Sequence, residues 1–355
     1  MRPEIEILVA AGGGGPRPAG LDSIDWPELF RLAAANKLLW PLIERLTGDW
    51  ADVEPGARRL SEDVGRQALD ARERVRRTLA FLETTFEEAG IDWRLVKTCR
   101  HIDYVPADID VVVPAPQYDD AVARLAGDPR LAASRIGPAP GTDLMGEDKT
   151  SFAAAPGATP GEDFSKIDVH RRLAWAAREL VAADLAFAKC VPGELAGVPV
   201  PLPPLEIDFL ATAAALVFDR RSVPLLDLMW IEGPLYRGLD WQIVRGETER
   251  WGWLAEFASF LKVVEALAEN FLGGRPPLPD FVEAAGRPAP KRASAADCPM
   301  PFPLGLAHDL RLLVQGWRHP FTAAYAFAWH RFRSVRERLT KGRRTGFGSW
   351  YRSER

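Results

Sequence analysis

Apolar positions in the first 90 residues recur at helical spacing. In "IDWPELFRLAAANKLLWPLIERL", Leu29, Leu32, Ala33 and Asn36 follow an N-cap candidate, Asp25, and a first-turn proline, Pro27. A longer pattern over 57–89 puts Val75, Leu79, Leu82 and Phe86 on one face, and Gly90 supplies its stop. The period then shortens. "IDWRLV" (91–96) and "DIDVVV" (108–113) predict strands, and Pro114 and Pro116 lead into a short helix, "YDDAVARLAG". After a Gly/Pro-rich loop over 137–147, "KTSFAAAP" and "FSKIDVHRRLAW" predict two further strands, separated by "GATPGED".

From about residue 176 helical spacing returns, in "PPLEIDFLATAAALVFD", "VPLLDLMWIEG" and "ERWGWLAEFASFLKVVEALAENFL". Residues 273–303, rich in proline and glycine, read as a linker or extended surface segment, and a last helix is expected near 318–341. Helices, a small strand-rich middle, then helices again predict an α+β fold. The expected regions are 1–90 (helical), 91–175 (mixed sheet) and 176–355 (helical, with a basic tail).

Composition narrows this picture only slightly. A chain of 355 residues, 47% hydrophobic and 26% charged, has ample material for a core. The net charge of -4 gives no global case for nucleic acid or membrane binding. Residues 331–355 nevertheless hold nine Lys/Arg and two Glu, a net of +7, which leaves -11 on the rest. Cys99, Cys190 and Cys298 are far apart and form no CxxC, so neither a disulfide framework nor a zinc site is expected. "MRPEIEILVAAGGGG" lacks the form of a signal peptide, and no apolar run reaches 18 residues, so a cytoplasmic protein without a membrane span is expected. "AAGGGGPRPAG" lacks a following GK[ST] and reads as a flexible surface turn. Trp230, Trp241, Trp251 and Trp253 read as core.

The candidate chemistry lies in the strands. Asp108 and Asp110, at i and i+2, share a strand face while Ile109 and Val111 take the other. Two close carboxylates repel unless a cation sits between them, and hard oxygen ligands suit Mg²⁺ or Mn²⁺. A solvent-facing pair on an edge strand is the alternative reading. In "SKIDVH", Asp168 and His170 repeat the pattern, and Asp168 would supply the third carboxylate of a two-metal site. Lys97-Thr98, at the end of a strand, offers a charge, a hydroxyl and backbone N–H groups to a triphosphate; a surface lysine beside a capping threonine is the plainer reading.

In "RLVKT", "DIDVVV" and "KIDVHRRLAW", with "IDWPELFRLAAANKLLWPLIERL" before them and "PPLEIDFLATAAALVFDRRSVPLLDLMWI" and "LDWQIV" after, the chain resembles the polymerase-β-type nucleotidyltransferase superfamily. More closely, it resembles a poorly characterised bacterial and archaeal nucleotidyltransferase family with helices on both sides of the core. The resemblance implies a small mixed-sheet nucleotidyltransferase core with helical flanks, NTP as substrate, and Mg²⁺ or Mn²⁺ held by Asp108, Asp110 and Asp168. It implies that Asp168 takes the acceptor's proton and that pyrophosphate leaves. Lys97 and Thr98 stand where the superfamily usually has Gly-Ser at its phosphate turn. His170 would orient Asp168, contact a phosphate or simply pack, and Lys149 and Lys166 face the site or stay solvated.

The competing readings are a degenerate nucleotidyltransferase fold serving as a nucleotide-binding or regulatory module, and a glycosyltransferase using DxD. The acceptor, whether small molecule, protein or RNA, stays open. The arginines and aromatics of 342–355 suit RNA, but a solvated helix with a tail that docks on the chain's own acidic surface or stays loose is the stronger reading.

Overall fold

The computed structural model describes residues 2–53, 55–98, 101–134, 149–155, 163–175, 178–220, 222–286 and 300–301. The expected helix near 318–341, the basic tail, Cys99 and Cys298 lie outside these residues.

The chain opens with four helices, α1 (Pro3–Gly13), α2 (Trp26–Ala35), α3 (Leu39–Thr47) and α4 (Pro55–Glu88). Asp25 caps α2 as expected, its carboxylate accepting from Glu28 N at 3.1 Å. The expected glycine-rich surface turn is in part helix: α1 runs through Gly12 and Gly13 and ends on Gly14 at φ 73°. A Cβ on Gly12 would stand 3.0 Å from Leu38 Cδ2 and 3.1 Å from Met229 Sδ, so close packing explains at least this glycine.

A five-stranded sheet follows, built from β1 (Arg94–Leu95), β2 (Asp108–Val112), β3 (Leu131–Ser134), β4 (Lys149–Ala154) and β5 (Lys166–His170), with α5 (Tyr118–Ala126) between β2 and β3. Its spatial order is β1-β2-β5-β4-β3. β2 and β5 run parallel and every other neighbouring pair is antiparallel, which makes the sheet mixed. Alternation assigns the faces. Leu95, Ile109, Val111, Phe152, Ile167 and Val169 turn toward α4 and α5 and are buried there with Leu79, Leu82, Phe86 and Leu125. Asp108, Asp110, Ser151, Lys166, Asp168 and His170 take the opposite face.

Two hairpins then interrupt the return to helices expected from about residue 176. β6 (Leu173–Trp175) pairs with β7 (Arg178–Val181), and β8 (Val191–Leu195) with β9 (Val198–Leu202). The single strand expected over "FSKIDVHRRLAW" is therefore two, parted at Arg171 and Arg172. The short β3, "LAAS", escaped prediction because alanine and serine carry no strand signal.

The later helices are α6 (Leu205–Ala214), α7 (Leu225–Arg237), α8 (Trp241–Arg250), α9 (Leu254–Phe271) and α10 (Asp280–Ala285). A two-residue pair, β10 (Ser222–Val223) with β11 (Met300–Pro301), completes the described elements. Gly252, at φ 67°, separates α8 from α9, where one helix was expected. The segment read as a linker contains α10, whose Val282 is fully buried. Trp230 and Trp253 are core, as expected, while Trp241 and Trp251 are only partly buried against it.

The helical regions flank the sheet in sequence but merge in space. α1–α3 and α6–α9 contribute to one apolar cluster, and the sheet with α5 makes a second. α4 joins them: Ala57, Val64 and Ala68 belong to the first cluster, Val75 to Phe86 to the second. At 34 residues it extends roughly 50 Å. Glu247, buried on α8, accepts from Ala182 N at 2.9 Å and Trp251 Nε1 at 3.0 Å, which ties the β6–β7 hairpin to the later helices.

Leu82→Ala should cost about 2–5 kcal/mol in urea unfolding, because a fully buried side chain on the shared helix leaves a cavity. A second expectation concerns acid. Hydrogen bonds from Arg31, and then Arg2, outweigh partial burial and lower Glu28 to about 2. Its contribution is present above the ordinary value of 4.5 and is lost as pH falls toward 2. Glu28→Gln should remove that small pH-dependent part, visible as melting curves that converge with wild type across this window.

Candidate active site

The parallel ladder between β2 and β5 sets Asp110 directly across from Asp168, and Val112 across from His170. Asp108 lies one pleat before Asp110, opposite Lys166. On the other side of β5, antiparallel β4 puts Ser151 across from Asp168 and Lys149 across from His170. Strand alternation alone therefore collects these groups on one face, backed by the apolar face that anchors the sheet.

Three ammonium groups answer three carboxylates. Lys97 Nζ lies 2.9 Å from Asp110 Oδ1, and Lys166 Nζ lies 2.8 Å from Asp168 and 3.6 Å from Asp108 Oδ2. Lys149 also pairs with Asp168, whose Oδ1 accepts from Ser151 Oγ at 2.6 Å. Asp110 Oδ1 is 2.7 Å from His170 Nε2. Asp168 is fully buried and Asp110 nearly so, whereas Asp108 is half-buried at the rim.

Burial opposes ionisation at Asp110, yet Lys97, His170 and Lys149 hold its carboxyl well below the usual range. Asp168 is lowered too: burial and Asp110 oppose this, but Lys149 and the hydrogen bond from Lys166 prevail. Burial also acts against Lys149, and Asp168 and Asp110 overcome it to raise the ammonium. His170 goes the other way, pushed down to about 4 by burial and by Lys97 despite its bond to Asp110. It is a neutral imidazole at neutral pH, and its Nε2–H donates to the Asp110 carboxylate.

The turn after β1 is held from several directions. Val96 N donates to Asp110 O at 3.0 Å, which prolongs the β1–β2 ladder by one residue. Thr98 is 2% exposed; its hydroxyl donates to Val96 O at 2.9 Å and accepts from Asp110 N at 3.4 Å. The Thr98 hydroxyl thus bonds the turn's own backbone. Tyr104 Oη donates to Thr98 O at 2.7 Å, and Asp103 pairs with Arg72 of α4 at 2.6 Å. Lys97 has φ 59°, and its N–H donates to Asp208 Oδ1 at 2.7 Å.

Asp110, Asp168 and His170 can each offer one ligand atom, all within 4.8 Å of one another. Two carboxylates and an imidazole suit a divalent cation, and the ammonium groups already on these oxygens show where positive charge is wanted. The residues therefore fit a metal. His170 meets Asp110 where an orienting role toward Asp168 was one expectation, and Asp108 stands outside the closest group.

Sequence reasoning missed Ser151 and Asp208. The first is an ordinary polar residue of a strand. The second did carry a signal, as an acid on the apolar helix "LEIDFLATAA". A separate cavity of about 580 Å³, bordered by Gly12, Gly14, Glu44 and Asp103, includes none of the polar-face residues of the sheet.

β2 thus bears two alternate aspartates and runs parallel to β5, which bears the third. Residues 22–269 match the family model described as "Uncharacterised nucleotidyltransferase". The chain belongs to this uncharacterised nucleotidyltransferase family. No curated protein and no solved structure matches it.

Thr98→Val should destabilise the protein by about 1–3 kcal/mol, because it strips buried backbone groups of a partner. Thr98→Ser should restore most of that loss. Parallel denaturation curves with nucleotide titrations check this; a large fall in nucleotide affinity at unchanged stability would instead give Thr98 a ligand-contacting role.

Proposed function

We propose that the protein is a metal-dependent nucleotidyltransferase that moves a nucleoside monophosphate from an NTP to a hydroxyl or amine acceptor and releases pyrophosphate. The observation that carries this reading is the β2–β5 register, which brings Asp110 and Asp168 together on one face with Asp108 one pleat away. Family membership supports it.

Asp110 and Asp168, with Asp108 at the rim, are the residues to hold Mg²⁺ or Mn²⁺, and His170 is a further donor. Such cations, when bound, neutralise the phosphoryl oxygens and acidify an acceptor O–H. Asp168 is ionised at neutral pH, so it can receive the acceptor's proton on a carboxylate oxygen. The acceptor oxygen or nitrogen bonds to the α-phosphorus as the bond to the bridging oxygen breaks, and pyrophosphate leaves with the electron pair. Lys97, Lys149 and Lys166, which pair with these carboxylates, would draw the triphosphate onto the carboxylate face and balance the departing charge. His170, neutral and donating to Asp110, fixes that carboxylate's orientation.

Among the described residues no helix is long and apolar enough to cross a membrane.

Incubation with NTP labelled at either the α- or the γ-phosphate, with Mg²⁺ and a cell extract, tests the reaction. Label from the α position should enter a product, and γ label should appear only in pyrophosphate. Asp168→Asn should reduce incorporation about 10²–10⁴-fold, as loss of a positioned proton acceptor does, with unchanged circular dichroism. Retention of γ label in the product would mean a kinase-like transfer. A nucleotide-dependent rise in melting temperature without any transfer would favour the binding-module reading.

A further inference from the structure

Lys97 departs from ordinary backbone geometry in a way that the carboxylates alone do not require. It is one of three non-glycine residues with positive φ among the described residues, and its left-handed conformation is unfavourable for any residue with a Cβ. What holds it there is Asp208, 6% exposed on α6, whose Oδ1 accepts from Lys97 N at 2.7 Å. The conformation carries the side chain back to Asp110, where the ammonium lies 2.9 Å from Oδ1. That oxygen also accepts from His170 at 2.7 Å. Lys149 and Lys166 come from β4 and β5 and pair with Asp168, so Lys97 is the lysine that β1's turn contributes to Asp110.

We infer that Lys97 is a resident cation of the site, with Asp208 as its positioning residue: without nucleotide its ammonium neutralises Asp110, and with nucleotide it moves to the polyphosphate. The inference rests on the nucleotidyltransferase reading for the identity of both ligands. Its physical basis is charge. Three ammonium groups already balance Asp108, Asp110 and Asp168, so a divalent ion entering alone gains little attraction and meets like charge. A triphosphate offers the lysines a denser anion and leaves the carboxylates to the metal. Metal and nucleotide then bind with positive coupling, which for such linked ligands amounts to about 5–150-fold.

The test measures Mn²⁺ binding to the full chain by electron paramagnetic resonance, with and without a non-hydrolysable α,β-methylene NTP analogue. Wild type should bind Mn²⁺ about tenfold or more tightly once the analogue is present. Lys97→Met and Lys97→Gly should each tighten Mn²⁺ binding about tenfold without the analogue; the glycine variant keeps the left-handed turn free of strain. Asp208→Ala should shift Mn²⁺ affinity in the same direction. Asp208→Asn, whose amide oxygen can still accept from Lys97 N, should behave as wild type; the tighter Mn²⁺ binding of Asp208→Ala is a gain that a purely structural loss would not produce.

Unchanged Mn²⁺ affinity in both Lys97 variants overturns the inference, as does a wild type that binds the analogue yet holds Mn²⁺ no more tightly. Failure of the transfer reaction is read separately, in the labelling assay, so the two ideas fall by different measurements.

Discussion

Parallel pairing of β2 with β5 creates the electrostatic problem that the site must solve. It forces Asp110 and Asp168 onto one face, with a third carboxylate beside them, in a setting where burial already disfavours charge. A conflict of that kind persists only if cations are close by. The fold supplies them from three directions: Lys97 from the turn after β1, Lys149 from β4 and Lys166 from β5 itself. The same strand alternation that assembles the carboxylates also brings in two of the three lysines.

A cluster of opposed charges needs a rigid backing. The reverse face of the sheet provides it, because Ile109, Val111, Phe152, Ile167 and Val169 are fully buried against α4 and α5. α4 carries this rigidity into the larger helical cluster, where the first and last described helices pack as one body. Through α6 that body reaches the site itself, since Asp208 secures the Lys97 turn. The helices are thus more than flanks: they set the backbone conformation of a site residue.

The Lys97-Thr98 turn is held tightly without a glycine. Thr98 keeps a hydroxyl, but uses it to knit Val96 and Asp110 together. Lys97 occupies the left-handed conformation that glycine would take without strain, and a buried carboxylate compensates. The lysine also brings positive charge to Asp110.

Much of this organisation was legible in the sequence, for a definite reason. Period-two alternation is local, so "DIDVVV" and "KIDVH" disclosed both strands, their apolar backs and the shared face of their acids. Helical periodicity likewise disclosed α2 and α4, with the Asp25 cap. Sequence could not disclose the relations that join distant segments. The registration of Asp110 with Asp168 is a pairing across 58 residues, and the bond between Lys97 and Asp208 spans 111. Alanine-rich β3, the hairpins before α6 and the helical end of the glycine run also depended on neighbours with no local signature. Local pattern determined which side chains could share a face; only tertiary packing decided which faces met, because burial and ion pairing act between segments that the chain order keeps apart.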